Sequence, residues 1–263
     1  MYFIDVQGTL ISDADKSPIR GSREFIAYLN KEAIPYMVLT NNTKHASLDF
    51  YNYLNSIGFD FSYDKYLDPL MILESQIPKE GIAAYGAEAF LATLENMGYT
   101  FDYKHPKTVL LAIKEDFSAE EYAQIIDFLL AKAELVGMHE TSLYVKNNKR
   151  YPGVGAILKM LSFATSVPYK VVGKPSEVFY TEALRGLLYQ NPNAAFSDVT
   201  IISDDVTGDL IGAKKLGMQT VFVTSGKYKS AEEIIPSLAT KERPDAIRAD
   251  MYDVLESING VER

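Results

Sequence analysis

The sequence predicts an α/β protein with a doubly wound parallel sheet at its core and a second α/β domain inserted in it. Short apolar runs rich in strand-forming residues alternate with segments of helical spacing along most of the 263 residues. Strands that alternate with helices pair in parallel through right-handed crossovers. In an open parallel sheet, ligands bind outside the carboxyl ends of the strands. Polar turns that follow the apolar runs are therefore where functional side chains are expected.

The first apolar run ends at Asp5, and a turn at Gly8 follows at once. A helix that begins near Ser22 leads to a second apolar run over residues 35–39, which ends in a polar turn at Thr40. Because the carboxyl ends of parallel strands lie at one edge of a sheet, we expect Thr40 at the same edge as Asp5.

The middle of the chain has its own strand–helix alternation. Residues 78–81, Pro-Lys-Glu-Gly, read as a linker. We therefore predict an inserted domain over residues 79–168, between a first core segment at 1–78 and a second at 169–263. Its predicted strands cover 82–85 and 108–113, and its predicted helices cover 87–97 and 118–131.

The core alternation is predicted to resume with a strand over 169–172, followed by a loop that contains Lys174. The next strand, over 199–202, ends in Ser203, Asp204 and Asp205, and a helix then begins near Asp209. The tail is predicted to hold a strand over 220–223, a helix over 230–237, an edge strand around Ile247 and a closing helix.

Polar residues thus follow four predicted strands: Asp5, Thr40, Lys174, and Asp204 with Asp205. Taken alone, each has a simpler explanation as a turn residue, a helix cap or a solvated lysine. Together they place carboxylates, a lysine and hydroxyl donors at one sheet edge, which is what metal-assisted phosphoryl transfer requires.

Composition excludes several other classes of protein. The formal net charge of −9 argues against nucleic acid or an anionic membrane surface as the main partner. An acidic protein that binds phosphate needs a metal ion or a lysine to reverse the local charge. With no cysteine, disulfides, thiolate catalysis and zinc–thiolate sites are excluded. No signal peptide or bilayer-spanning run is visible, so a soluble cytoplasmic protein is expected.

Four motifs in order resemble those of the haloacid dehalogenase superfamily: Asp-x-x-Gly-Thr-Leu from Asp5, Thr-Asn-Asn from Thr40, Gly-Lys-Pro-Ser from Gly173 and Ser-Asp-Asp-x-x-x-Asp from Ser203. More narrowly, the chain resembles the NagD-like group (class IIA) of sugar-phosphate and nitrophenyl phosphatases. In that group a large α/β cap is inserted in the Rossmannoid core between the second and third motifs, where residues 79–168 lie. The resemblance covers essentially the whole chain.

The resemblance implies a role for each phosphate-contacting residue. Asp5 would be the nucleophile that forms an aspartyl-phosphate intermediate. Thr40 would hydrogen-bond the transferring phosphoryl group, and Lys174 would neutralise the nucleophile and the phosphate. Further phosphate contacts would come from the two turns, through Gly8, Asn41 and Asn42.

The resemblance also implies a Mg²⁺ site built from hard oxygen ligands. The ligands would be the carboxylates of Asp5 and Asp204 and the main-chain carbonyl of Gln7. Asp209 would bind the ion directly or through water. Asp205 is an alternative to Asp209 as the second acidic residue, because aspartate stands there where relatives often carry asparagine.

Gln7 departs from the family pattern, since phosphatases of this superfamily usually carry a second aspartate two residues after the nucleophile. That aspartate protonates the leaving oxygen and later activates water. Glutamine can donate a hydrogen bond but cannot exchange a proton at neutral pH. General acid–base catalysis is worth about 10²–10⁴-fold in rate. The main-chain carbonyl survives the change, so we expect an intact metal and phosphate site with weakened turnover.

The predicted function is Mg²⁺-dependent hydrolysis of a small phosphomonoester, such as a sugar phosphate or a nucleotide. A catalytically silent protein that binds a phosphorylated metabolite is the alternative that Gln7 raises. A dehalogenase is disfavoured because the acidic metal-binding residues are retained, and an ATPase pump is excluded because no membrane helix is visible.

The inserted segment departs from its relatives as well, since Gly137 to Thr141 stand where relatives often have Thr-Asn-x-Asp. His139 and Glu140 are candidates to face the substrate, and a solvated loop is the equal alternative. Caps in such proteins can offer a dimer surface, which leaves a homodimer open.

Overall fold

A computed structural model of the chain describes residues 1–146, 149–258 and 260. These residues fall into two units, each with its own parallel sheet. The first unit comprises residues 1–40, 48–67 and 180–263, and the second comprises residues 41–47 and 68–179.

The strands follow the apolar runs of the sequence. In chain order they are β1 (Tyr2–Asp5), β2 (Tyr36–Leu39), β3 (Tyr66–Leu67), β4 (Ile82–Tyr85), β5 (Thr108–Leu111), β6 (Glu134–Gly137), β7 (Leu143–Lys146), β8 (Lys149–Pro152), β9 (Tyr169–Val171), β10 (Thr200–Ser203), β11 (Gln219–Val223) and β12 (Ala246–Arg248).

The helices occupy most of the segments between the strands. They are α1 (Ser22–Lys31), α2 (Ser47–Ser56), α3 (Pro69–Gln76), α4 (Glu88–Asn96), α5 (Ala119–Leu130), α6 (Val154–Thr165), α7 (Glu177–Gln190), α8 (Ile211–Lys215) and α9 (Met251–Ile258). A π-helical turn, Val206–Leu210, leads directly into α8.

The sheet of the first unit has six parallel strands in the order β12-β11-β10-β1-β2-β3. β1 therefore lies between β10 and β2, with Ile4 paired to Ile202 on one side and to Val38 on the other. All three residues are completely buried, together with Phe25 of α1. The register brings the residues that follow β1, β2 and β10 to one edge of the sheet.

The second unit is built around a four-stranded parallel sheet in the order β4-β5-β6-β9. Its apolar core includes side chains of β5, α5 and α6, such as Val109, Ile125 and Leu158. α5 begins with a capping box in which Ser118 and Glu121 each accept a backbone N–H of the other residue. β7 and β8 form a separate antiparallel hairpin.

One predicted strand has a different partner from the one expected. Tyr169–Val171 was predicted to pair in the core sheet, but β9 pairs with β6, with Tyr169 opposite Leu135 and Val171 opposite Gly137. The local pattern of a strand is the same in either sheet, so sequence identifies the strand but not its neighbour. The inserted domain over residues 79–168 stays a proposal, and the second compact unit contains that segment with residues on both sides of it.

Two further elements differ from the sequence prediction. The β7–β8 hairpin was not predicted, because each of its strands has only four residues and β8 is mostly polar. The helix expected over residues 230–237 is instead two short 3₁₀ turns, Ala231–Glu233 and Ile235–Ser237. Pro236 in the second turn has no N–H to donate, which is incompatible with a continuous helix through this segment.

Candidate active site

Two buried carboxylates lie at the carboxyl ends of neighbouring strands in the first unit. Asp5 ends β1 and Asp204 follows β10, and these residues are 6% and 4% exposed. Thr9 connects them: its hydroxyl donates to Oδ2 of Asp5 at 3.2 Å and accepts the backbone N–H of Asp204 at 3.1 Å. The sequence-predicted nucleophile and the sequence-predicted metal ligand are therefore held close together by a third residue.

The electrostatics of this carboxylate pair are unfavourable without a cation. Burial raises the pKa of Asp204 well above its usual range, and the negative charges of Asp5 and Asp205 raise it further. The backbone N–H of Lys227, which donates to Oδ2 of Asp204 at 2.6 Å, acts in the opposite direction. A divalent cation beside Asp5 and Asp204 would remove the repulsion between the two carboxylates.

Two glycines surround the Asp204 carboxylate so closely that no side chain could replace them. A Cβ at Gly8 or at Gly226 would overlap Oδ2 of Asp204. Gly8 also has a φ of +76°, a backbone conformation that other residues rarely adopt. Ser225 fixes the Gly8 turn by donating its hydroxyl proton to the Gly8 carbonyl at 2.7 Å.

The donor set suits Mg²⁺, which prefers carboxylate and carbonyl oxygens and keeps several waters. Asp5, Asp204 and the carbonyl of Gln7 would hold it. Among the residues that the structure describes, no three His, Asp or Glu side chains are already arranged around a metal position. Asp5 and Asp204 would supply two carboxylates and Gln7 a carbonyl oxygen, and Asp209 or waters would complete the coordination.

The two other acidic residues of this motif have separate partners. Asp209 is buried, and its Oδ2 accepts the hydroxyl of Ser203 at 2.6 Å. Asp205 accepts the N–H of Gly208 at 2.9 Å, which caps the π-helical turn. Its other oxygen lies 3.0 Å from Nζ of Lys227 in a largely buried ion pair. The carboxylate of Asp205 is therefore engaged in holding the loop, while Asp209 keeps its predicted role as a proposal.

Gln7 and Thr40 contact each other at the ends of β1 and β2. The hydroxyl of Thr40, which is completely buried, donates to Oε1 of Gln7 at 2.8 Å. The backbone N–H of Gly8, predicted to bind phosphate, donates to the carbonyl of Ile11 at 2.8 Å. The Thr40 hydroxyl and the Gly8 amide thus already have protein acceptors in this structure.

Lys174 lies in the second unit, after β9 of the four-stranded sheet. It was predicted to follow a strand of the core sheet, so the pairing of β9 with β6 changes the element that positions it. Its side chain is buried, with the residue only 2% exposed. Its backbone N–H donates to Oδ1 of Asn41 at 2.9 Å, and Asn41 donates to its carbonyl at 3.4 Å. Two predicted phosphate-site residues are thereby joined within this unit.

The remaining predicted residues of the second unit, Asn42, His139 and Glu140, each have a defined environment. Asn42 donates to the carbonyl of His45 at 3.0 Å and shapes its own turn. His139 is buried, with 2% exposure. Glu140 accepts the hydroxyl of Tyr169 at 2.7 Å and pairs with Lys159 at 3.2 Å. Its carboxylate thus contacts two neighbours and is partly exposed, and its predicted role toward the substrate stays a proposal.

Two family models match the chain. One, described as haloacid dehalogenase-like hydrolase, matches residues 2–100. The other, described as HAD-hydrolase-like, matches residues 171–254. The two matched segments carry all four of the motifs that the sequence displays. The chain belongs to the haloacid dehalogenase-like hydrolases.

Curated relatives of this hydrolase are similar along most of their length. Haloacid dehalogenase-like hydrolase domain-containing protein 2 of Mus musculus is 28% identical over 232 residues, which are 88% of this chain and 86% of the relative. Phospholysine phosphohistidine inorganic pyrophosphate phosphatase of Homo sapiens is 25% identical over 260 residues, 96% of this chain and 92% of the relative.

Solved structures show the same fold. A p-nitrophenyl phosphatase from Archaeoglobus fulgidus matches with a TM-score of 0.81 at 22% identity, covering 97% of this chain and 98% of that one. NagD from E. coli K-12 matches with a TM-score of 0.74 at 21% identity, covering 96% of each chain. The predicted α/β fold class is confirmed, and the resemblance to NagD holds for the fold.

Thr9 and Lys227 of this hydrolase were not predicted as functional residues. Thr9 is one of the specified residues of the first motif, Asp-x-x-Gly-Thr-Leu, and that motif was the available signal. Lys227 follows Ser225 and Gly226 after the last long core strand, and an isolated lysine in a loop is usually solvated. Their roles depend on hydrogen bonds between distant parts of the chain.

The hydrolase was expected to lack membrane spans. Over the described ranges, which omit residues 147–148, 259 and 261–263, no helix is long and apolar enough to cross a bilayer.

Proposed function

We propose that this hydrolase removes phosphate from a small phosphorylated metabolite in a Mg²⁺-dependent reaction that passes through phospho-Asp5. The observation that carries the proposal is the pair of buried carboxylates, Asp5 and Asp204, held at neighbouring strand ends by Thr9. A purely structural role would not require two buried carboxylates whose charges repel each other. The phosphatases among the relatives and the solved structures support the same reaction class.

Asp5 is the nucleophile in this proposal. Thr9 orients its carboxylate through Oδ2, so that a carboxylate oxygen can attack phosphorus in line with the leaving oxygen. Thr40 lies at the end of the adjacent strand, and its hydroxyl turns from Gln7 to the phosphoryl group when substrate binds. Lys174, on the strength of the motif it belongs to, is the cation proposed to balance the phosphate charge.

Asp5, Asp204 and the main-chain carbonyl of Gln7 would hold Mg²⁺, with Asp209 bound directly or through water. When bound, the ion supplies positive charge that stabilises the phosphoryl oxygens and the two carboxylates. Lys227 keeps Asp204 oriented toward this position through its backbone N–H. Lys227 also pairs with Asp205, which keeps that third carboxylate occupied away from the ion.

Phospho-enzyme formation tests the proposal. Incubation with ³²P-labelled acetyl phosphate and Mg²⁺ is expected to label the protein through a bond that hydroxylamine cleaves, as it does other acyl phosphates. Asp5→Asn should abolish the label. The matched control is Asp49→Asn, because Asp49 is an exposed aspartate of the same unit at the start of α2. Label that persists in Asp5→Asn would show that the nucleophile is assigned wrongly.

Binding without turnover is the second candidate, and the contact between Gln7 and Thr40 favours it. Gln7 stands at the position where a proton-exchanging residue would be needed. Its Oε1 also engages the Thr40 hydroxyl. Phosphate release from nitrophenyl phosphate, sugar phosphates and nucleotides, with and without Mg²⁺, separates the two functions. If the unaltered protein releases none and Gln7→Asp does, the protein is a phosphometabolite-binding protein on a competent scaffold.

A further inference from the structure

The backbone of Lys174, the cation of the proposed reaction, is held by the side-chain amide of Asn41. Oδ1 of Asn41 accepts the Lys174 N–H at 2.9 Å, and Nδ2 donates to the Lys174 carbonyl at 3.4 Å. The backbone N–H of Glu140 donates to the same carbonyl at 3.2 Å. Asn41 therefore contacts both polar backbone groups of Lys174, in the way that a neighbouring strand would.

Close packing against Gly173 keeps this amide in place. A Cβ at Gly173 would lie 2.6 Å from Oδ1 of Asn41 and 2.6 Å from Cγ of Pro69. Oδ1 thus lies directly against the backbone of Gly173 while it accepts the next N–H along the chain. Rotation of the amide toward a ligand would break both of its bonds to Lys174, so the side chain of Asn41 is committed to that residue.

The turn that carries Asn41 is anchored at its other end as well. Residues 41–47 belong to the second unit, as Lys174 does. Ser47 donates its hydroxyl proton to Oδ1 of Asp68 at 2.8 Å. This completely buried carboxylate also caps α3 by accepting two backbone N–H groups of its first turn. Lys174 is therefore bonded to a turn that is fixed at both ends.

The position of the Lys174 ammonium depends on its backbone. A lysine carries a point charge at the end of a flexible four-carbon chain, so the direction in which the backbone sends the chain decides where the charge lies. The residue is only 2% exposed. Charges and donors assist a reaction when they are already placed where charge develops, and a misplacement of about 1 Å can cost roughly 10²-fold in rate. A side chain that fixes this backbone can therefore affect the reaction without contacting phosphate.

We propose that Asn41 is a positioning residue for Lys174, whose backbone its amide holds so that the ammonium is presented to phosphate at one place. The inference rests on the proposed function and assigns the side chain of Asn41 a part in it. A phosphate contact from Asn41 then comes from its main chain and not from its amide. Asn41 directly follows Thr40 in the sequence, so the residue that holds the cation is the chain neighbour of the residue that supplies the hydroxyl.

Trace labelling of amines with acetic anhydride, measured for each lysine by mass spectrometry, tests the contact without a substrate. In the unaltered protein, buried Lys174 should label slowly and exposed Lys170 quickly. Asn41→Leu keeps the size of the side chain and removes both hydrogen bonds. Labelling of Lys174 should therefore rise about 2–10-fold, which corresponds to the loss of one hydrogen bond. Asn41→Asp keeps the acceptor for the Lys174 N–H and should retain most of the protection.

Ser47→Ala is the matched control, because it removes the bond at the other end of the turn and leaves the Asn41 amide intact. It should lower stability in urea unfolding without a comparable rise in Lys174 labelling. Lys227 of the first unit, whose side chain is 14% exposed, reports on general unfolding and should label equally in all variants. Unchanged Lys174 labelling in Asn41→Leu, or an equal rise in Ser47→Ala, would overturn the inference. Asn41→Ser replaces Asn41→Leu if the latter does not fold.

A double-mutant cycle separates positioning from direct phosphate binding. The quantity measured is the second-order rate constant of phospho-enzyme formation from acetyl phosphate. Asn41→Leu should lower it in the unaltered protein and lower it no further in Lys174→Met, because the ammonium that Asn41 positions is then absent. Equal losses in the two backgrounds would show that Asn41 acts on phosphate directly. If the unaltered protein forms no phospho-enzyme, the proposed function fails, and the labelling still decides whether Asn41 holds Lys174.

Discussion

Asp204 is the residue at which stability and function conflict most directly. Its carboxylate is buried between two glycines and accepts the N–H of Lys227. Burial and the nearby charge of Asp5 raise its pKa. The ionised Asp204 carboxylate therefore destabilises the metal-free fold. Asp204 is also one of the residues proposed to bind the cation.

Asp204→Asn is expected to stabilise the metal-free protein at neutral pH. A carboxyl group with a raised pKa in the folded state keeps its proton while the unfolded chain loses it. The contribution of Asp204 to the free energy of unfolding therefore falls as pH rises from about 3.8, the ordinary pKa of aspartate, through the pKa in the folded state. The asparagine does not titrate and can still accept the Lys227 N–H.

Urea unfolding over a range of pH in EDTA measures this effect. The stability difference between Asp204→Asn and the unaltered protein should grow with pH, by about 1.4 kcal/mol for each pKa unit that separates the folded and unfolded states. A variant less stable than the parent at neutral pH would contradict the prediction. Asp49→Asn serves again as the exposed control.

Gly8→Ala tests the close approach of the first turn to Asp204. Gly8 and Gly217 both have positive φ, +76° and +90°, but a Cβ at Gly217 meets nothing within 4 Å. Gly217→Ala should cost only the backbone strain, about 1–2 kcal/mol. Gly8→Ala should cost roughly 1–3 kcal/mol more through overpacking and should abolish phospho-enzyme formation. Equal stabilities and retained labelling in the two variants would show that the approach is not required.

Sequence predicted the residues whose position depends on the end of a strand and missed those whose role depends on contacts. Asp5, Thr40 and Asp204 were all expected at one edge of the core sheet, and the strand order puts them there. Thr9 and Lys227 act through hydrogen bonds to residues 195 and 23 positions away in the chain. No local pattern contains that information.

At the scale of elements, the loop after β11 contacts the site through three hydrogen bonds. Ser225 holds the Gly8 carbonyl, and Lys227 holds Asp204 through its N–H and Asp205 through its side chain. Side chains of the ion pair are only 14% and 15% exposed. The loop therefore connects the ends of β1 and β10, and its geometry depends on a largely buried charge pair.

Lys227→Met should destabilise the protein by about 2–3 kcal/mol, because it leaves the Asp205 carboxylate buried without its cation. Burial lowers the pKa of Lys227, but the charge and hydrogen bond of Asp205 outweigh it and raise the pKa overall. The stabilisation from the Lys227–Asp205 pair is thus fully present below a pH of about 10.5. It is lost as pH rises through the pKa of Lys227 in the folded state.

The double variant Asp205→Asn/Lys227→Met provides the control for this ion pair. Its loss of unfolding free energy should be smaller than the sum of the losses in the two single variants, because neither charge is then left without its partner. Lys229→Met, in the same loop at an exposed residue, should change stability by no more than about 0.5 kcal/mol. Strict additivity in urea unfolding would show that the pair contributes nothing.

Element identity was more predictable than element pairing. The strands and most helices follow from apolar runs and helical spacing, as β1, β2 and β10 illustrate. Pairing of β9 with β6 could not be predicted, because a three-residue strand carries no signal for its neighbour. The same limit applies to Lys174, which follows β9 and takes its position from that pairing.

At the scale of the whole molecule, the proposed cation should couple to folding. An ion that binds only the folded protein stabilises it by RT ln(1 + [L]/Kd), about 2.7 kcal/mol at 100 times Kd. Mg²⁺ should therefore raise the melting temperature of the unaltered protein and of Asp49→Asn, and this rise should be lost in Asp204→Asn. A thermal shift that survives Asp204→Asn would place the ion elsewhere.

The order of synthesis has a consequence for the strand that carries the nucleophile. β1 lies between β2, which follows closely in the chain, and β10, whose end is joined to Thr9 across 195 residues. At 5–20 residues per second, a ribosome needs roughly 10–40 s to make that interval. During this time the nascent chain presents one edge of β1 without its final partner, which invites aggregation or chaperone binding. The carboxylate pair exists only after Asp204 has been translated, so a truncated chain carries the nucleophile without the means to hold its cation.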